Sequence, residues 1–275
     1  MRLSPHMAVM QNTAQKAARS LLRDFAEVEQ LQVSIKGPGD FVSQADMRAE
    51  KTIREELARA RPGYAFLMEE SGASGGDNWT WRWIVDPLDG TSNFLHGIPH
   101  WAISIALQRR HPNGDVELVA AVVYNPASHE MFWAEKGIGA FLNDRRIRVS
   151  ARRKLSEAMF ATGIPFAKVP AQYRMPFGRV LSSLMPKVAG IRRCGAAALD
   201  LAWLAAGRYE GYWELGLKPW DCAAGLLIVR EAGGHATDVE GNDLGTLDDD
   251  VHVVAGNQHF HAPLRELVHS ALTQD

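Results

Sequence analysis

The chain has 275 residues, 46% of them hydrophobic and 23% charged, and a net charge of −2. That is enough for one large domain or two modest lobes around a sizeable core, and it is too apolar for a disordered chain. The near-neutral balance excludes whole-protein attraction to nucleic acid or anionic lipid, and the richest apolar run, residues 223–229, is too short to span a bilayer.

In chain order, residues 7–29 have helical spacing, with Ala8, Ala14, Ala17, Leu21, Leu22, Phe25 and Val28 on one face. IKGPGDF breaks that period, and Gly37, Pro38 and Gly39 predict a loop carrying Lys36. Helix returns over 45–61, with Arg48, Glu50, Lys51 and Glu55 on the wet face and Pro62 and Gly63 as the stop. Residues 64–68 and 81–85 are expected strands. Pro87 cannot donate to a ladder, so the second of these should stop at Asp86. Runs 103–108, 117–124, 131–135 and 139–142 follow at short spacing, with turns at HPNGD, NPASHE and EKGIG, and predict an antiparallel meander. The polar, basic stretch 143–154 marks the expected boundary between an N-terminal lobe, 1–147, and a C-terminal lobe, 148–275. In the second half, helices are predicted over 196–206, 221–232 and 263–272, and strands over 209–214 and 251–255. The fold class is therefore α+β, in stacked layers of helix and sheet.

No export signal is legible at the N-terminus, and the two cysteines, Cys194 and Cys222, form no CxxC pair. A reducing cytoplasm is the expected setting. Trp79, Trp81 and Trp83 alternate, which predicts an aromatic strand face used for packing.

The chemistry concentrates in WIVDPLDGTSNF, residues 83–94. Asp86 and Asp89 follow a short apolar strand, and Gly90 and Thr91 follow them at once. A glycine lets backbone approach a ligand closely, and residues 91–95 can open a helical turn whose free N–H groups suit a phosphate. Taken alone, the run is equally a β-turn with solvated acids. Glu69 and Glu70 end a strand, and Asp221 fits the N-cap of a helix; each has an ordinary structural reading by itself. Together they supply the oxygen donors of a multi-ion site, in which hard cations need several carboxylates. Other phosphatase chemistries fit worse. Asp86 and Asp89 are separated by two residues, whereas an aspartyl nucleophile pair is separated by one. Asp200 and Ile228 stand six positions after the cysteines, where a cysteine phosphatase needs arginine. His96 and His100 have i,i+4 spacing, but Gly97 and Pro99 argue against one helix face and a zinc site on it.

DPLDGTSNF and WDCAAGLLIVREAGG resemble the two signatures of the inositol monophosphatase family, and more specifically its bacterial SuhB-like branch. MEES, FVSQAD and GAAALDLAWLAAGRYEGYWE fall at the expected intervals, and the likeness is weakest before Lys36. The resemblance implies alternating α/β/α/β/α layers and a lithium-sensitive, usually dimeric phosphomonoesterase using two to three Mg²⁺ ions per subunit. It implies that Glu69, Asp86 and the Leu88 carbonyl hold one ion, that Asp86, Asp89 and Asp221 hold a second, and that a weaker third rests on Glu69. Gly90 and Thr91 would offer N–H groups to the phosphate, and Asp46 would hydrogen-bond the Thr91 hydroxyl. Asp89, Gly195, Ala196, Ala197, Glu214 and Asp221 would face the substrate. Leu88 departs from the isoleucine common in animal members, which matters little for a backbone ligand.

The implied mechanism is in-line attack on phosphorus by a water oriented by Glu69 and Thr91, with no covalent protein intermediate. Asn93 and Phe94 resemble the inositol branch, while relatives act on fructose 1,6-bisphosphate, histidinol phosphate, NADP or adenosine bisphosphate. SuhB-like proteins are also associated with ribosomal RNA transcription complexes. Arg145, Arg146, Arg148, Arg152, Arg153 and Lys154, with Arg192 and Arg193, are the residues for such a contact; a solvated lobe junction is the plainer expectation, because no interleaved aromatics suggest base stacking.

Overall fold

The structure, a computed structural model, describes residues 3–27, 33–37, 40–166, 170–245, 247 and 250–274. Helix α1 (Pro5–Ala26) starts on Ser4, whose hydroxyl accepts the Met7 N–H at 3.1 Å, with Pro5 in the first turn, where its missing donor costs nothing. After it come strands β1 (Val33–Gly37) and β2 (Asp40–Ser43), which pair antiparallel. This corrects the expected loop: Lys36 lies on a strand. Val33, Ile35, Phe41 and Val42 are strand formers that the nearby glycines masked in the sequence. Val28, Pro38 and Gly39 lie outside the described residues. Helix α2 (Gln44–Ala60) packs along α1, where Met7, Met10, Ala14, Ala17 and Leu21 join Ala45, Ala49, Ile53 and Leu57 in one buried cluster.

These helices cover one face of a large sheet. Its strands are β3 (Ala65–Met68), β4 (Gly72–Ser74), β5 (Trp81–Asp89), β6 (Ala102–Arg110), β7 (Val116–Asn125), β8 (Glu130–Glu135), β9 (Gly139–Leu142) and β10 (Arg145–Arg146). The order is β10-β9-β8-β7-β6-β5-β3-β4; β3 runs parallel to β5 and the other neighbours are antiparallel. The expected meander is β6 to β9. Strand β5 does not stop at Asp86. It continues through Pro87 because the register slips there: Asp86 opposes Ser104 and Asp89 opposes Ala102, three steps against two. A bulge of this kind frees a residue from the ladder, so a proline is accommodated and the chain turns. Helix α3 (Thr91–Leu95) follows.

Alternation along β5 feeds two cores. Trp83 and Val85 face α1 and α2, whereas Ile84 joins the cluster on the opposite side. Trp81 stacks on Tyr64 with ring centres 5.6 Å apart, and Trp79 lies between the Arg82 and Arg110 guanidinium groups at 4.3 and 4.1 Å. Trp81 and Trp83 therefore share the expected aromatic packing face, whereas Trp79 precedes β5 and packs against the two arginines instead.

The second half supplies β11 (Met159–Thr162), α4 (Arg174–Leu184), β12 (Gly190–Arg192), α5 (Ala197–Ala205), β13 (Gly211–Leu217), α6 (Pro219–Glu231), β14 (His235–Thr237), β15 (Val251–Gly256) and α7 (His261–Thr273). Its strands form a five-stranded sheet of order β12-β11-β13-β15-β14. Helices α5 and α6 fill the space between the two sheets, through Leu199, Leu201, Leu226 and Ile228. Helices α4 and α7 cover the outer face with Val180, Leu184, Leu264 and Val268 against Phe160, Trp213 and Val254. The result is an αβαβα sandwich of helix, sheet, helix, sheet and helix.

Candidate active site

Asp86 and Asp89 flank the β5 bulge and are 2% and 8% exposed. Asp86 Oδ1 accepts the Leu88 N–H at 2.9 Å, and Asp89 Oδ2 accepts the Ala198 N–H at 2.8 Å, from the first turn of α5. Burial pushes both carboxyls well above the usual carboxylate range. For Asp86 the next causes are the charges of Glu69, Asp89, Asp221 and Asp46. For Asp89 the charge of Asp221 comes next, opposed by the Ala198 hydrogen bond. Five acids, from α2, β5, α6 and the turn that follows β3, thus share one field. Such a cluster is unfavourable without a counter-charge, and an all-oxygen donor set fits a hard divalent cation.

Each member is held by local structure. The Glu69 N–H donates to Val85 O at 3.2 Å and extends the β3–β5 pairing to the strand end. The Glu70 N–H donates to Glu50 Oε2 at 2.8 Å, and carboxylate oxygens of Asp46, Glu69 and Glu70 lie within 4.8 Å of one another. Leu88 buries its side chain completely and turns its carbonyl toward the Thr91 hydroxyl, which donates to it at 2.9 Å. Gly90 has φ +88°; a Cβ there would stand 2.9 Å from His100 O and 3.1 Å from the Ala196 methyl, so glycine is required twice over. Asp221 is not at the N-cap. Pro219 starts α6 two residues earlier, and Asp221 reaches back from the first turn to accept the Lys218 N–H at 2.8 Å. The Ser104 hydroxyl donates to Trp220 O at 3.2 Å and ties this turn to β6.

Opposite the acids, Gly195, Ala196 and Ala197 lead into α5. Asn93 joins them to the β5–α3 turn: its amide donates to His100 O at 2.7 Å and to Cys194 O at 2.8 Å. Glu214 on β13 lies so close to Gly163 that a Cβ there would fall 1.7 Å from Oε1. Burial raises the Glu214 carboxyl to about 7, against the Tyr212 hydroxyl, which donates to Oε2.

Sequence reasoning missed Glu70 as a neighbour of Asp46, Asn93 as the tether, and the Ala198 N–H under Asp89. The SNF triplet and the helix start at GAAALD were the available signals. His96 and His100 are apart in role: His96 is exposed and bonds Ser92 O at 2.7 Å, while His100 is buried beside Asp200. Among the described residues no helix is long and apolar enough to cross a membrane.

The sequence profile of the inositol monophosphatase family matches residues 3–273. The chain is 54% identical over 263 residues to an inositol-1-monophosphatase of Rhizobium meliloti, covering 94% of each chain. It is 42% identical over 257 residues to the Nus factor SuhB of Pseudomonas aeruginosa, covering 91% of this chain and 92% of that one. The crystal structure of the extragenic suppressor protein suhB from Bartonella henselae superposes with a TM-score of 0.87 at 53% identity, over 96% of this chain and 98% of the other. A full-length profile match, half-identical relatives and the shared layered fold place this chain in the inositol monophosphatase family, whose members are metal-dependent phosphatases.

Proposed function

We propose that this chain is a magnesium-dependent phosphomonoesterase acting on inositol monophosphate or a related sugar phosphate. The observation that carries the reading is that the charges of Glu69, Asp89 and Asp221 all act on the buried Asp86 carboxyl, at the end of the strand that leads into the Gly90–Thr91 turn. In this reading Glu69, Asp86 and the Leu88 carbonyl hold one Mg²⁺, Asp86, Asp89 and Asp221 hold a second, and Glu69 supports a weaker third. Bound there, Mg²⁺ neutralises phosphate charge, acidifies water and stabilises the leaving oxygen.

The chain's own groups do the rest. The Gly90 and Thr91 N–H groups position the phosphate for in-line attack. Glu69 would accept a hydrogen bond from the attacking water, and Thr91 would orient it once its hydroxyl turned from Leu88 O to Asp46. Gly195, Ala196, Ala197 and Asp89 pack against the alcohol. Glu214, with a carboxyl near 7, accepts from or donates to a ring hydroxyl. The same reading assigns the ion site to residues 1–147 and the substrate face, with Asp221, to 148–275. It brings with it lithium inhibition, a homodimer and a cytoplasmic setting. A phosphate-release screen over inositol, sugar, nucleotide and histidinol phosphates tests it. Turnover on inositol or sugar phosphates should need Mg²⁺, stop on chelation and return on re-addition; metal-independent release would overturn the reading.

A second reading, contact with a transcription complex, is favoured by the likeness to the Pseudomonas Nus factor SuhB. Arg145, Arg146, Arg148 and Arg153 are exposed and would serve it, whereas Arg152 pairs with Glu210 at 2.9 Å. Cellular rescue by an inactive Asp89→Asn protein would support it, and dependence of rescue on turnover would exclude it.

A further inference from the structure

Behind the N-terminus of α5 lies a second group of donors, of a different chemical kind. A ring nitrogen of His100, Cys194 Sγ and a carboxylate oxygen of Asp200 fall within 4.8 Å of one another. His100 is 8% exposed and Asp200 1%. His100 Nε2 and Asp200 Oδ1 face each other at 3.2 Å, close enough to pair but without the geometry of a well-aligned hydrogen bond. An ion shared between two such buried, poorly aligned groups would satisfy both. The separation matches a coordination polyhedron: two donors about 2.0–2.1 Å from a tetrahedral ion stand about 3.3 Å apart. We propose that His100, Cys194 and Asp200 form a binding site for a thiophilic divalent cation of the Zn²⁺ type, distinct from the all-oxygen cluster on β5.

Three features favour it. The donor set, one sulfur, one imidazole and one carboxylate, selects a softer ion than Mg²⁺. A thiolate and a carboxylate balance a dication, so the loaded site is neutral and suits burial. The frame is already rigid, because one Asn93 amide holds the backbone carbonyls of both His100 and Cys194, and Trp203 fixes the imidazole edge-on at 4.9 Å. Cys194 is half-buried, so an ion can reach it from solvent, and water is one candidate for the fourth ligand. The Tyr209 hydroxyl, 3.6 Å from Sγ, is the other candidate for that position.

The test is optical. Equimolar Co²⁺ is added to the reduced full-length protein in excess Mg²⁺, which keeps the carboxylate cluster filled. A sulfur-to-cobalt charge-transfer band should appear in the near ultraviolet and be displaced by Zn²⁺. It should vanish in Cys194→Ser, persist in Cys222→Ala, and need at least about tenfold more Co²⁺ in His100→Gln. In unsubstituted protein, Zn²⁺ should also slow alkylation of Cys194, read by mass spectrometry, which covers the case of a variant that does not fold. No band in folded wild-type protein, a band that survives Cys194→Ser, or alkylation indifferent to Zn²⁺ would reduce the group to a structural His–Asp pair. None of these outcomes depends on phosphatase activity.

Discussion

Ionising Asp86 places a charge among Glu69, Asp89, Asp221 and Asp46 where almost no water reaches. Its carboxylate therefore opposes the fold until a cation arrives. Asp86→Asn keeps an oxygen for the Leu88 N–H and removes the charge. At pH 8 without metal it should raise stability by ~1–2 kcal/mol, about 2–6 °C in Tm, while phosphate release falls at least ~100-fold. A thermal melt and a phosphate assay on the same sample check both signs. Glu69→Gln separates chemistry from fold in another way. Its backbone N–H already serves the β3–β5 pairing, so Tm should stay within about 2 °C while turnover collapses; a wild-type rate would remove Glu69 from the mechanism.

At the scale of the element, the bulged end of β5 aims the site. Proline at 87 and the register slip set Asp86 and Asp89 on either side of the bulge, where their buried carboxyls act on each other, and Gly90 then carries the chain into α3. Gly90→Ala should cost ~1–3 kcal/mol, since it strains a positive φ and drives a methyl against the His100 carbonyl. Activity should fall with it, because Leu88 and Thr91 move. Gly97→Ala is the control: φ is +69° but a Cβ there meets nothing within 4 Å, so only ~1 kcal/mol and little activity should be lost. Equal losses in urea melts and turnover would deny the bulge its aiming role.

For the whole molecule, pH and metal are linked through the same acids. Folded Glu214, at about 7, and Asp86 and Asp89, raised well above their ordinary values, hold protons that the unfolded chain has already released. Their contribution is present at low pH and is lost as pH rises through the folded values. His6, His252 and His261 are lowered by burial and act oppositely, but most of their stabilisation is in place by about pH 6.5. Between pH 6.5 and 8 the acids decide the sign. Tm of metal-free protein should fall across that window, and saturating Mg²⁺ should flatten the slope. A metal-free Tm that rises would show the acids to be less coupled than the geometry requires.

Much was legible in the chain because it is encoded locally. Helical period marked α1 and α2, alternation with short turns marked β6 to β9, and the D-P-L-D-G-T run marked the acids. Short elements were not legible: β4, β12 and β14 are three residues each, too few for a period, and Pro176 and Gly178 hide α4. The sequence by itself determined which residue types were available to hold cations and which segments would be strand or helix. Only the tertiary structure decided that β5 runs through Pro87, since a bulge is a relation between two strands. It alone brought Asp221 within the field of Asp86 across 135 residues of chain. It alone set His100 against Asp200, because burial and the meeting of distant charges are properties of packing and are not written in any local spacing.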